Sequence, residues 1–127
     1  MQKKLPKISD AEWQVMKAIW ARHPISASEI TEALTPVSPW KPKTILTMVN
    51  RLVAKGAIGY RQKGRANEYF PLVSEEECTR AESRSFLDRV YGGAITPMLS
   101  QLFEVRPFSR QEIEELKNIL DRKGKKP

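Results

Sequence analysis

The sequence predicts a mostly α-helical chain of the α+β class, in two domains, residues 1–73 and 74–127. Four Ser-x-x-Glu capping boxes each predict a helix start, and one alternating segment between them predicts a β-hairpin. Residues 1–73 carry 12 Lys and Arg against 5 Asp and Glu, whereas residues 74–127 carry 10 of each. The net charge of +7 therefore lies in the first domain, which indicates a polyanionic partner for that domain.

Two helices open the chain. A capping box at Ser9 predicts a first helix with an apolar stripe that includes Val15 and Ile19. A second box at Ser26 predicts a short helix that ends near Leu34. The proline-containing loop that follows leads to a third helix, and this arrangement is a helix-turn-helix candidate.

The segment Pro42–Lys55 predicts the third helix, with proline at its first position and Gly56 after its last. Ile45, Val49 and Leu52 are spaced to share one buried face. The opposite face has no carboxylate and carries short hydrogen-bonding side chains and cations, which can contact phosphates and base edges. An ordinary amphipathic helix with a solvated polar face is the alternative interpretation. The candidate DNA-binding residues of this helix are Lys43, Thr44, Thr47, Asn50 and Arg51.

Residues 57–63 and 66–70 favour extended strands, and the turn Gly64-Arg65 between them predicts a β-hairpin. Its tip is basic, with Arg61, Lys63 and Arg65 as candidate DNA-binding residues. A solvated turn would explain such a tip in isolation, but next to an acid-free helix we expect phosphate contact. Three helices followed by this hairpin predict a winged helix-turn-helix domain whose wing is the hairpin.

Residues 74–127 predict three helices with apolar stripes and no charge bias. The first and third follow the boxes at Ser74 and Ser109, and the second is expected to have Thr96 as its N-cap and Pro97 at its first position. Three short helices bury little apolar surface alone, so pairing with a second copy is predicted. A monomer in which they pack on the first domain is the alternative. The candidate dimerisation residues are Phe86, Leu87, Val90, Tyr91, Met98, Leu99, Leu102, Phe103, Ile113, Leu116, Ile119 and Leu120.

Several classes of function fit the sequence poorly. No apolar run of about 18 residues exists and no secretory signal begins the chain, so we expect a cytoplasmic protein with no membrane insertion. Cys78 and His23 are the only residues of their kinds, so we expect no metal site, no cofactor and no enzyme activity. A winged helix that binds another protein, and no specific DNA, is the rival hypothesis.

Five segments carry a resemblance to a known family. They are Ile8-Ser9-Asp10-Ala11-Glu12-Trp13, Trp40-x-Pro42-Lys43-Thr44-Ile45-x-Thr47, Arg51-Leu52-x-x-Lys55-Gly56, Phe86-Leu87-x-x-Val90-Tyr91-x-Gly93 and Ser109-x-x-Glu112-Ile113-x-x-Leu116. In these segments the chain resembles the BlaI/MecI family, the penicillinase and methicillin-resistance repressors of Gram-positive bacteria. The similarity runs almost from end to end.

The resemblance implies a dimeric winged-helix repressor that binds palindromic operators with TACA/TGTA half-sites and controls resistance or cell-envelope-stress genes. It implies recognition-helix contacts by Lys43, Thr44, Thr47 and Arg51, flanked by Trp40. Double-stranded operator DNA and a second copy of the chain would be its partners. A membrane sensor-protease, which inactivates the resistance members by cutting an Asn–Phe bond, would be another.

Two positions depart from the family pattern. Family members commonly cap the recognition helix with serine, whereas this chain has Lys41, a poor N-cap whose charge could instead approach a phosphate. The cleavage bond is expected near Ser100, Gln101, Leu102 and Phe103, but this segment contains no asparagine. Release by that proteolytic route is therefore in doubt.

Overall fold

The computed structural model describes residues 5–124. Within that range the chain forms six α-helices and three β-strands. In chain order they are α1 (Asp10–Ala21), β1 (Ile25–Ser26), α2 (Ala27–Leu34), α3 (Pro42–Ala54), β2 (Ile58–Lys63), β3 (Ala66–Pro71), α4 (Glu75–Tyr91), α5 (Ile95–Val105) and α6 (Arg110–Lys123).

The helices α1, α2 and α3 pack around one apolar core. Val15 and Ile19 of α1, with Ile30 of α2, are fully buried in it. Ile45 and Val49 enter the same core from α3 and are also fully buried. The predicted inner face of α3 is therefore confirmed, and it fixes which side of this helix remains outside.

The C-terminal end of α3 is closed by a glycine, as predicted. Gly56 has a φ of 80°, a left-handed conformation that glycine adopts without a Cβ clash. Its N–H donates to the carbonyl of Val53 at 3.0 Å, and the N–H of Ala57 donates to the carbonyl of Leu52 at 3.0 Å. This pair of bonds is a Schellman motif, which satisfies the last carbonyls of the helix.

The strands form one antiparallel sheet in the order β1-β3-β2. The pairing of Lys63 with Ala66 leaves Gly64 and Arg65 as a two-residue hairpin loop, as predicted. Gly64 has a φ of 64° and no other residue type has a positive φ in the described chain, which fits a type II′ turn. Together with α1, α2 and α3, this hairpin forms the predicted winged helix.

The third strand, β1, was not predicted. Ile25 and Ser26 pair with Tyr69 and Glu68 of β3. Ser26 is also the N-cap of α2, with a complete capping box, so this one residue ends the strand and caps the helix. The sequence signal of the cap was visible, but a two-residue strand exists only through its partner.

The capping boxes at Ser9, Ser26 and Ser109 are complete. The prediction for α5 was wrong: this helix begins at Ile95, and its N-cap is Ala94, without a side-chain hydrogen bond. Thr96 and Pro97 lie inside the first turn. Proline is tolerated there because the first backbone N–H groups of a helix have no intrahelical acceptor.

The chain divides into two compact units, Met1–Glu82 and Ser83–Pro127. The boundary lies within α4, later than the predicted division between residues 73 and 74. The start of α4 belongs to the first unit, because Cys78 is buried in its core and Glu75 Oε2 lies 2.6 Å from Lys17 Nζ. The assignment of a DNA-binding and a dimerisation domain stays a prediction. No helix within residues 5–124 combines the length and the apolar character needed to cross a membrane.

Candidate nucleic-acid interface

The first turn of α3 is open to an anion. Its N-cap, Lys41, makes no side-chain capping hydrogen bond, and Pro42 follows as the first helical residue. The free N–H groups of the next residues and the positive end of the helix dipole both favour a negative group at this point. Lys41 and Lys43 are exposed beside it. This end of the helix therefore suits a phosphate better than a serine-capped end would.

The outer face of α3 is exposed over its whole length. The predicted DNA-binding residues Lys43, Thr44, Thr47, Asn50 and Arg51 are all exposed. The Oγ1 of Thr47 donates to the carbonyl of Lys43 at 3.0 Å. Because that bond uses its only donor, the Thr47 side chain offers an acceptor and a methyl group to a ligand.

The hairpin places two of its three cations on one face. Arg61 lies directly opposite Glu68, and Lys63 lies opposite Ala66, so all four side chains share a face of the sheet. Arg61 Nε is 3.8 Å from Glu68 Oε1, and Lys63 Nζ is 4.0 Å from Glu68 Oε2. The side chains of Arg61 and Lys63 are still 68% and 76% exposed, so both remain accessible to phosphate. Arg65 is exposed in the turn.

Lys55 is held by the protein itself. Its Nζ pairs with the Glu12 carboxylate and donates to the carbonyl of Lys7 at 2.8 Å. Burial raises the pKa of Glu12, but the hydrogen bonds from Lys55 and the Ser9 N–H, with the charge of Lys55, outweigh it. The pKa of Glu12 therefore lies below its ordinary value. This pair ties the end of α3 to the start of α1 and orients the helix.

Trp40 is half-buried and packs against the core of the first unit. It lies two residues before the start of α3, and its role beside the recognition residues stays a prediction. Much of its side chain supports the fold.

Two residues of this region were missed by sequence reasoning. Leu46 is 42% exposed on α3, although it is a large apolar residue. Glu68 lies between the wing cations, and its Oε1 is buried without a hydrogen-bond donor. The helical wheel would have revealed Leu46, since it lies four residues before Asn50 on the outer face. The position of Glu68 depends on the strand register, which sequence alone leaves open.

The second unit carries the candidate dimerisation residues. None of its described residues, 83–124, is buried. Leu87, Tyr91, Met98, Leu99 and Leu116 are half-buried. The other seven candidates are exposed by at least 38% of their surface, and they are Phe86, Val90, Leu102, Phe103, Ile113, Ile119 and Leu120.

The expected cleavage segment is helical. Ser100, Gln101, Leu102 and Phe103 lie within α5 and are exposed. Phe103 packs its ring against Phe108, with centroids 4.3 Å apart.

The chain resembles known repressors over nearly all of its length. The penicillinase repressor family profile matches residues 8–122. The penicillinase repressor of Bacillus licheniformis is 42% identical over 119 residues, which cover 94% of this chain and 93% of that protein. The methicillin resistance regulatory protein MecI of Staphylococcus aureus (strain N315) is 37% identical over 123 residues, which cover 97% of this chain and 100% of that protein.

A solved structure extends this likeness to the fold. The solution structure of the monomeric form of Bacillus licheniformis BlaI, in complex with the blaP half-operator, is 45% identical in sequence with a TM-score of 0.53. The matched region covers 60% of this chain and 93% of the BlaI chain. The profile match and the two relatives together establish that this chain belongs to the penicillinase repressor family.

Proposed function

We propose that this protein is a homodimeric, sequence-specific repressor that binds double-stranded operator DNA through the outer face of α3. One observation carries the proposal: the inner face of α3 is fully buried, and its outer face presents cations and short hydrogen-bonding side chains without any carboxylate. Such a face can lie in a major groove without charge repulsion.

The outer-face residues divide into two kinds of contact. Lys43 and Arg51 supply positive charge, and an arginine at this place can also bind a guanine edge through two hydrogen bonds. Thr44 and Thr47 supply hydroxyl and methyl contacts, and Asn50 can bind adenine through its amide. Phosphate contacts carry no sequence information, so the sequence specificity of the proposed repressor would come from contacts of these side chains with base edges.

Phosphate contacts position the protein on the duplex. The open first turn of α3 with Lys41, and the wing cations Arg61, Lys63 and Arg65, suit this role. BlaI, which is 45% identical over the matched region, binds a half-operator as a monomer, and this supports one winged helix for each half-site.

The second unit supports the dimer. Its apolar side chains have no buried core among residues 83–124, so association with a second copy would remove apolar surface from water. A two-fold symmetric dimer would place its two α3 helices in successive major grooves about 34 Å apart. The operator would then be a palindrome, with TACA/TGTA half-sites as the family implies. Repression would follow from occlusion of the promoter, with no catalytic step and no cofactor.

Family membership supports a membrane sensor-protease as the partner that ends repression. The residue before Phe103 is Leu102, so a cut within the exposed segment 100–103 of α5 would be at a bond other than Asn–Phe. A protease that needs an extended substrate would first have to unfold this part of α5.

Selection from a random duplex library tests the proposal. We expect the wild type to enrich a two-fold symmetric site and the Lys43→Ala/Thr47→Ala variant to lose this enrichment. The control is Lys117→Ala/Thr79→Ala, which makes the same two changes at exposed positions outside α3 and should select the wild-type site. Sequence-blind binding by the wild type, or no binding, would reject the repressor and favour the protein-binding module.

A further inference from the structure

Leu46 is an unusual residue for its position. It lies on α3, three residues after Lys43 and four before Asn50, so these polar side chains are its neighbours on the helix surface. Its side chain is 42% exposed, whereas Ile45 and Val49 on the inner face are fully buried. The contribution of α3 to the core of the first unit thus comes from other residues of the helix. Leu46 instead adds a bulky apolar group to the outer face.

A leucine side chain has no hydrogen-bond donor or acceptor, so it cannot bind a phosphate or the polar edge of a base. In the major groove of DNA, the apolar group at a base edge is the C5-methyl of thymine. Burying an apolar side chain against that methyl removes both from water, which gives the contact a preference for thymine over cytosine.

Resting on the proposed function, we propose that Leu46 is a specificity-determining residue that contacts a thymine methyl group in the operator half-site. Asn50, four residues further along the same face, extends this preference, since its amide can bind the N6 and N7 positions of adenine. The two side chains together select A·T base pairs at one end of the half-site.

Removal of single methyl groups from the operator tests this contact. In the half-site that the library selects, each thymine is replaced in turn by deoxyuridine, which keeps base pairing and deletes only the C5-methyl. We expect the wild type to lose about three- to fivefold in affinity at one thymine per half-site, the range for one buried methyl-sized group. Leu46→Ala should bind the thymine operator more weakly by at least that factor and be insensitive to deoxyuridine at the same position.

Leu72→Ala is the matched control. Leu72 belongs to the same unit and is 46% exposed, but it follows the wing and lies outside α3. This variant should keep the wild-type response to every deoxyuridine. Thermal unfolding of both variants should stay close to that of the wild type, because each leucine is only partly buried.

The outcomes separate this inference from the proposed function. If the wild type selects a symmetric site but responds to each deoxyuridine as Leu46→Ala does, the thymine contact is wrong and the repressor stands. A half-site without any thymine would overturn the contact in the same way. If the wild type selects no site, the proposed function fails, and the inference fails with it.

Discussion

The two units of the chain differ in where their apolar residues lie. Every buried residue that the structure describes belongs to the first unit, and the buried apolar ones form a core shared by α1, α2, α3, the start of α4 and the sheet. The second unit is also helical, with a complete capping box at Ser109, yet it buries none of its described residues. Regular secondary structure is therefore complete in both units, whereas a hydrophobic core is complete in only one.

This difference explains how the units divide the work in the proposed repressor. A unit with its own core holds α3 in a fixed orientation and can present a rigid outer face to DNA. A unit that leaves about half of side chains such as Phe103, Ile119 and Leu120 exposed gains stability by association. Full burial of such a side chain is worth about 1.5–3 kcal/mol, and the exposed half contributes about half of that. We expect mutations of the same chemical kind to affect unfolding in the first unit and association in the second.

Leucine-to-alanine substitution in each unit gives the largest expected contrast. Leu52 of α3 is fully buried, so Leu52→Ala should lower the free energy of unfolding by about 2–5 kcal/mol, through lost burial and the cavity it leaves. Leu120 of α6 is 53% exposed, so Leu120→Ala should leave the first unit nearly unchanged and weaken dimerisation. Denaturant unfolding monitored by tryptophan fluorescence reports on the first unit alone, because Trp13, Trp20 and Trp40 all lie there.

Sedimentation equilibrium over a range of concentrations measures the second half of this contrast. Below the denaturation temperature of Leu52→Ala, this variant and the wild type should have the same dimer dissociation constant. Leu120→Ala should have a larger one. A wild-type protein that remains monomeric at every concentration would contradict the dimer and leave the exposed residues of the second unit without the proposed role.

The pair of Lys55 and Glu12 gives the next largest effect. Lys55→Met should cost about 1.5–3 kcal/mol, because it removes a charged hydrogen-bond donor from a carboxylate that is only 2% exposed. Lys17→Met is the control: its pair with Glu75 is exposed on both sides and should contribute less than about 1 kcal/mol. If both variants lose the same free energy of unfolding, burial of Glu12 does not strengthen its ion pair with Lys55.

The same pair predicts a pH dependence with a definite sign. The folded pKa of Glu12 lies below the ordinary value of 4.5, so its stabilising contribution is complete above pH 4.5 and falls as the pH drops through the folded pKa. Unfolding curves collected between pH 7 and pH 3 should therefore show a steeper loss for the wild type than for Lys55→Met.

How far the sequence predicted these features depends on how local each one is. The start and inner face of α3 were predicted correctly, and the predicted end, Lys55, is one residue beyond the observed end, Ala54. The proline, the glycine and the spacing of the apolar residues all lie within the helix or next to it. The partnership of Glu12 with Lys55 spans 43 residues, and β1 forms only by pairing with β3. Such features depend on tertiary packing, which no local pattern specifies.

The start of α5 shows a different cause of error. Thr96-Pro97 is a reasonable local signal for a cap and a first helical residue, but the helix begins earlier, at Ile95. Proline fits any position of the first turn, so it restricts a helix start to within a few residues only.

For the candidate interface, the exposed polar positions of α3 could be predicted from periodicity. Leu46 was overlooked because apolar residues are normally assigned to the core.

The smallest expected effect on stability comes from an exposed ion pair in the second unit, between Arg106 and Glu112. Arg106 donates from both terminal nitrogens to the two Glu112 oxygens, at 3.0 and 2.8 Å. The hydrogen bonds from Arg106 and from the Ser109 N–H lower the pKa of Glu112 to about 2. Its contribution to folding is therefore complete above pH 4.5 and is lost as the pH falls towards 2.

Carboxyl carbon NMR titration of Glu112 measures this directly. The wild-type midpoint should be about 2, and Arg106→Gln should raise it towards 4.5, because the Ser109 bonds alone remain. Arg110→Gln makes the same change at another exposed arginine, two residues before Glu112 in sequence, and should leave the midpoint near 2. A midpoint that responds equally to both variants would mean that general positive charge, rather than the paired hydrogen bonds, sets the pKa. The second unit would then lack this fixed link between the end of α5 and the start of α6.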